Sequence, residues 1–145
     1  MKELRVAIIG CGKIADQHVN AIGRIPNCRL VAVCDREPLM AKQLGERFGV
    51  SECFGEATEM VRAVSPDVVH ITTPPQNRRV LAEECLNAGS HVYLEKPFTI
   101  TAEEAKALIR LADHANLKVT AGHNLQFTLE TVSYTHLTLP TICSV

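Results

Sequence analysis

Residues 4–15 read Leu-Arg-Val-Ala-Ile-Ile-Gly-Cys-Gly-Lys-Ile-Ala, an apolar run that breaks on two glycines and resumes as a helical pattern. Leu4–Ile9 is apolar without alternation, which suits a strand buried on both faces of a parallel sheet. Gly10 permits a tight turn after it. Gly12 carries no Cβ, so a phosphate can approach the backbone, and Ala15 lets the following helix pack closely on the strand. The free N–H groups at the helix start, around Lys13 and Ile14, and the positive end of the helix dipole suit a phosphate charge. A plain tight turn could carry the same residues. The position directly between a strand and a helix is what gives the pattern its meaning.

Further along the chain, Arg29–Cys34 reads as a second strand, and Asp35 stands at its end, twenty residues after Ala15. A carboxylate there can accept both ribose hydroxyls of an adenosine and repels a 2′-phosphate, which favours NAD over NADP. Arg36 opposes that preference because it can pair with a phosphate. A turn or helix-cap role is the competing account of Asp35. The two motifs together predict a dinucleotide-binding domain.

The rest of the chain keeps the rhythm. Helices are expected at 13–25, 38–48, 56–64, 79–88 and 101–115, and strands at 50–54, 67–72, 91–94 and 117–121. The helix at 101 opens on Thr-Ala-Glu-Glu, a capping-box pattern, and has apolar residues at 105, 108, 109 and 112. Strand–helix alternation of this kind implies an α/β domain, a doubly wound, mostly parallel sheet of the Rossmann type spanning residues 1–131.

Three further motifs fall at strand ends, where ligands bind in such folds. Thr72-Thr73-Pro74-Pro75-Gln76-Asn77 makes a rigid loop, or a simple strand-to-helix turn. In Glu95-Lys96-Pro97 the proline steers Lys96 toward extended geometry and admits a cis peptide. The ammonium would then be fixed at the sheet edge, able to donate a hydrogen bond or a proton to a substrate oxygen. A surface salt bridge of Glu95 is the alternative. His123 and Asn124 follow the last strand and are candidate substrate contacts, or ordinary loop residues. The remaining histidines show no metal-ligand spacing and read as structural or surface residues, so no metal is expected.

Composition narrows the function. A net charge of −1 gives no footprint for nucleic acid or an anionic membrane. No apolar run reaches the ~20 residues of a membrane span, and the N-terminus lacks a signal-peptide pattern. The six cysteines form no Cys-x-x-Cys pair and lie mostly in apolar segments, which suits reduced, buried thiols in a cytoplasmic protein. From Val132 the text changes. Val-Ser-Tyr-Thr-His-Leu-Thr-Leu-Pro-Thr matches, codon for codon, a translated DNA-library adapter, so residues 132–145 are expected not to be native.

The run from Val6-Ala-Ile-Ile-Gly-Cys-Gly-Lys-Ile-Ala through Val33-Cys-Asp-Arg-Glu, Asp67-Val-Val-His-Ile-Thr-Thr-Pro-Pro-Gln and Glu95-Lys-Pro-Phe-Thr to Ala121-Gly-His-Asn-Leu-Gln-Phe resembles the Gfo/Idh/MocA oxidoreductases in order and spacing. The resemblance covers residues 3–130, the family's N-terminal domain. It implies a two-domain, often oligomeric enzyme. Such an enzyme moves hydride between NAD(H) or NADP(H) and a sugar, cyclitol or related polyol. It further implies that Gly10, Gly12, Lys13, Ile14, Ala15, Asp35, Arg36, Thr73, Pro74 and Asn77 line the cofactor. Glu95 would lie near the nicotinamide ribose, and Lys96 would be the active-site lysine. Many members carry histidine where Arg78 stands and arginine where Gln126 stands. The family's acid–base Asp and His come from a second domain, and nothing in this chain maps onto them. A fragment of this extent is expected to bind cofactor and not turn over. The alternatives are a reductase of another pathway on the same cofactor fold and a non-catalytic NAD-sensing module. The Glu-Lys-Pro motif argues against the first, and the missing basic recognition helix against the second.

Overall fold

A computed structural model describes residues 1–122. Six strands, β1 (Leu4–Ile9), β2 (Cys28–Cys34), β3 (Cys53–Phe54), β4 (Val68–Ile71), β5 (His91–Glu95) and β6 (Val119–Gly122), alternate with five helices. The helices are α1 (Ala15–Ile22), α2 (Pro38–Phe48), α3 (Ala57–Val64), α4 (Pro75–Asn87) and α5 (Ala102–His114). The sheet order is β3-β2-β1-β4-β5-β6 and every pairing is parallel. The chain therefore leaves β1 in both directions. The β1/β4 boundary is the switch point, where the crossovers diverge and a crevice opens at the carboxyl edge.

Strand alternation sends side chains to two separate cores. Ala7, Ile9, Val69, Ile71, Val92 and Leu94 face α3, α4 and α5, where Met60, Leu86 and Leu108 are fully buried. Val6, Ile8 and Val33 face α1 and α2 and meet Val19, Ile22 and Leu44. Helices on both faces and buried parallel strands make this the doubly wound Rossmann-type α/β fold that the alternation implied.

The elements match the sequence reading, with boundary shifts that have physical reasons. Helix α4 begins at Pro75, four residues before the expected start, because a proline at the first helical position loses no hydrogen bond and has its φ already set. The Thr72–Asn77 loop is correspondingly short. The first helix spans only Ala15–Ile22, and β3 shrinks to two residues. The capping box on α5 is present: Glu104 N–H donates to Thr101 Oγ1 at 3.2 Å, and Thr101 N–H donates to Glu104 Oε2 at 3.4 Å. Ile109, read with the apolar stripe of that helix, is exposed, whereas Leu108 and Ala112 are buried. His123, Asn124, Gln126 and the 132–145 segment lie outside the described residues.

Candidate cofactor and active-site edge

Gly10 leaves β1 with φ +98°, a conformation that side chains avoid. A Cβ on it would stand 2.9 Å from Thr73 N and 3.0 Å from Thr72 C, so the turns after β1 and β4 touch here. Thr72 Oγ1 donates to the carbonyls of Ile9 and Gly10 and ties them. Gly12 is different, since a Cβ there would meet no atom within 4 Å and would point into open space. Among the described residues, the amides of Gly12, Lys13 and Ile14 donate to no protein acceptor. Three amides at a helix start, without a protein acceptor among the described residues and beside an open approach, are suited to an anion.

Asp35 closes the neighbouring side. Its Oδ2 accepts Cys11 N–H at 2.8 Å and its Oδ1 accepts Glu37 N–H at 2.9 Å. The carboxylate thus fills the turn role and the cavity-facing role at once. Each oxygen keeps a second lone pair for a hydroxyl. Gly10, Asp35, Arg36, Thr73 and Asn77 line one cavity of about 300 Å³. Thr73 Oγ1 is buried there with no hydrogen-bond partner among the described residues. Lys13, Ile14, Ala15 and Pro74 do not line this cavity.

Sequence reasoning missed its far wall, which is Gly55, Thr58, Leu81 and Glu84. The signals were present. Gly55 follows a strand, and Leu81 and Glu84 lie one and two helical turns beyond Asn77, on the same side. Cys11 and Cys34 sit against the same turn, and burial, reinforced by the Asp35 charge, pushes both thiols up to about 12. They are neutral and inert at ordinary pH.

The β5 end lies two strands away. Lys96–Pro97 is a cis peptide. Lys96 is exposed at the edge, and no carboxylate among the described residues pairs with its ammonium. Glu95 is only 6% exposed, so it forms no surface salt bridge. Its Oε1 lies 2.8 Å from His18 Nε2 and its Oε2 accepts Lys96 N–H at 3.2 Å. Arg78, equally buried, donates through Nε to Thr73 O at 2.8 Å and through Nη1 to the carbonyls of Glu95 and Pro97. One guanidinium therefore bolts the β4 turn to the β5 turn. Its burial holds its pKa below the usual arginine value, against the raising effect of Glu95. Among the described residues no group of His, Cys, Asp and Glu could hold a metal, and no helix is long and apolar enough to cross a membrane.

Unpaired amides at the α1 start, the open approach at Gly12, the orphaned Thr73 hydroxyl and a carboxylate at the β2 end fit a dinucleotide laid across the switch point. Adenosine would sit on the Asp35 side, the pyrophosphate at Gly12–Ile14, and the nicotinamide toward Lys96.

Comparison with known proteins agrees. The model of the oxidoreductase family with an NAD-binding Rossmann fold, GFO_IDH_MocA, matches residues 4–123. The chain is 30% identical over 127 residues to D-apiose dehydrogenase of Rhizobium rhizogenes, covering 88% of this chain and 37% of that one. It is 34% identical over 129 residues to D-glucoside 3-dehydrogenase of Escherichia coli, again 88% of this chain and 37% of the relative. The scyllo-inositol dehydrogenase of Lactobacillus casei, solved with NAD(H) and scyllo-inositol, superposes with a TM-score of 0.84 at 28% identity over 94% of this chain and 41% of that one. The chain thus spans a little over a third of the length of these curated relatives.

Proposed function

The chain belongs to the Gfo/Idh/MocA oxidoreductase family and carries its NAD-binding domain, and from that premise we propose that the whole protein is a dehydrogenase or reductase of a CH–OH group on a sugar, cyclitol or related polyol. The observation that carries this reading is the meeting, at one carboxyl edge, of the anion cradle with an exposed Lys96 whose ammonium pairs with no carboxylate among the described residues. NAD supplies hydride acceptance or donation when bound.

The chain's own residues do the rest. The amides of Gly12, Lys13 and Ile14 hold the pyrophosphate, and Asp35 accepts the adenosine ribose hydroxyls. Thr73 and Asn77 close the cavity between them. Lys96 donates to the reacting substrate oxygen and stabilises the negative charge that develops on it. His123 and Asn124 follow β6 in the chain and are assigned to the substrate side. A small sugar or cyclitol substrate fits the names of the relatives, and a cytoplasmic homo-oligomer is part of the same proposal. Residues 132–145 stand apart as translated adapter, and the acid–base partner of Lys96 comes from the family's second domain.

Titration of the chain with NADH, NADPH and ADP-ribose tests the cofactor half. Saturable NADH binding tighter than NADPH binding is expected, with no turnover of inositols or aldoses by this chain. Joined to its native downstream gene sequence, the protein should reduce NAD with a polyol from this class. Loss of that activity in Lys96→Ala, with NADH affinity kept within about 3-fold, is the outcome expected for a substrate-facing lysine. An absence of NADH binding in the intact, folded chain would overturn the reading.

A further inference from the structure

On the α1 side of the sheet the fully buried apolar core ends at β1, where Ile8 clusters with Ala15 and Val19, and half-buried Val68 extends it onto the start of β4. Beyond it, on β4 and β5, the same face turns polar. His70 of β4 and Tyr93 and Glu95 of β5 meet His18 of α1 there. The His18 and His70 rings stand edge to face at 5.2 Å, and His70 stacks on Tyr93 at 4.7 Å. His18 Nδ1 lies 2.9 Å from His70 Nδ1, and its Nε2 lies 2.8 Å from Glu95 Oε1. His18 and Glu95 are each under a tenth exposed.

A buried carboxylate is costly unless every oxygen is satisfied. Here each one is, and the partners dictate the proton positions. Glu95 accepts only, so His18 Nε2 must carry a proton and donate to Oε1. The remaining proton lies between the two facing Nδ1 atoms, on whichever ring donates. Glu95 Oε2 takes the Lys96 amide, and the Glu95 carbonyl takes Arg78. The residue immediately before Lys96 is therefore held at its carbonyl and at both carboxylate oxygens. Only the bond to His18 Nε2 comes from α1.

We propose that His18 is a positioning residue which, through Glu95, fixes the Glu95–Lys96–Pro97 turn as the wall of the nicotinamide half of the cofactor site and leaves the adenosine half untouched. This rests on the cofactor placement proposed above, with adenosine on the Asp35 side. His18 reaches Glu95 from the helix whose N-terminus faces the pyrophosphate, whereas the adenosine cavity contains neither His18 nor Glu95. A purely structural histidine would affect both halves alike. A positioning one separates them.

The test is calorimetric titration of the chain, as wild type, His18→Ala, His18→Gln and Glu95→Gln, with NADH and with ADP-ribose, which lacks the nicotinamide. His18→Ala should weaken NADH about 10-fold, the loss of one hydrogen bond to a charged group, and leave ADP-ribose within about 2-fold. His18→Gln, whose side-chain amide can still donate to Glu95, should recover most of the loss. Glu95→Gln should again cost NADH more than ADP-ribose. Amide hydrogen exchange without ligand should show protection lost at Lys96 in His18→Ala. Retained ADP-ribose binding reports that a variant is folded. If His18→Ala does not fold, His18→Phe, which keeps the ring and cannot donate to Glu95, decides by the same NADH-selective loss. Equal effects on both ligands, or none, would overturn the proposal. Failure of the wild type to bind either ligand would instead bring down the cofactor placement, and this inference with it.

Discussion

Gly10 and Gly12, two residues apart in the same turn, serve opposite ends, and substitution separates them. Gly10→Ala meets both a forbidding φ of +98° and backbone at 2.9 Å. We expect a loss of about 2–4 kcal/mol in urea unfolding, from backbone strain and overpacking together. Gly12→Ala meets nothing in the protein. Stability should stay within about 0.5 kcal/mol, while NADH affinity falls 10-fold or more because the new methyl occupies the phosphate approach. Equal stability losses in both variants would contradict this division. Asp35 is the third informative residue. Facing a 2′-phosphate, its carboxylate adds like-charge repulsion of ~1–3 kcal/mol, roughly 5- to 150-fold in favour of NADH. Arg36 is exposed and screened, and offsets only part of it. Asp35→Ser should narrow or invert the preference. It should also cost stability, because the carboxylate holds Cys11 N–H and Glu37 N–H. Equal NADH and NADPH affinity in the wild type would mean that Arg36 had cancelled the carboxylate.

At the scale of elements, local signals were legible where one chemical rule governs a position. The capping box on α5 is an example, and Thr101→Ala should cost about 1 kcal/mol in urea unfolding by leaving Glu104 N–H without its acceptor. No change would show that water replaces the hydroxyl fully. The Glu-Lys-Pro turn was legible too, down to the admissible cis bond. The start of α4 was misjudged because two consecutive prolines read as loop, although the second suits a first helical turn. What the sequence could not give were contacts made across elements. Arg78 looked like a departure from its relatives and proved to be a buried clamp on three carbonyls. His18 read as a structural or surface residue, and only the folding of α1 over β4 and β5 brings it to Glu95. The far wall of the cavity that Asp35 lines was legible only in part: Gly55 follows a strand and Glu84 shares a helix side with Asn77, but only the sheet order brings the two together.

For the whole molecule, the fold followed from strand–helix rhythm alone, because a chain alternating in this way has few ways to bury both sheet faces. Its stability should depend on pH in a direction the structure sets. Burial, and secondarily the neighbouring His18, hold His70 down to about 4, whereas an unfolded histidine titrates near 6.5. At pH above 6.5 both states are neutral and the contribution is fully present. Between 6.5 and 4 the unfolded chain binds a proton that the native one refuses, so stability falls as pH drops, by at most about 3 kcal/mol. Asp67 sharpens the decline further down, since the hydrogen bonds from the Lys2 ammonium and the Arg5 amide hold its carboxyl below the usual range. Urea midpoints measured across that interval should slope downward, and His70→Asn should flatten the slope. A wild-type midpoint constant across it would show that His70 titrates normally.

The sheet order also has a history in time. Of the six described strands β1 is made first, yet it stands in the middle, pairing β2 on one side and β4 on the other. Roughly 60 residues separate its end from Val68, and at ~5–20 residues per second a ribosome needs about 3–12 s to deliver them. Throughout that interval one edge of the central strand has no neighbour, and the turn that later holds Gly10 against Thr73 has only one of its two halves. During synthesis, therefore, the nucleotide site comes into existence late and all at once, when β4 docks, and any chain interrupted before residue 71 carries the glycine signature without the pocket it serves.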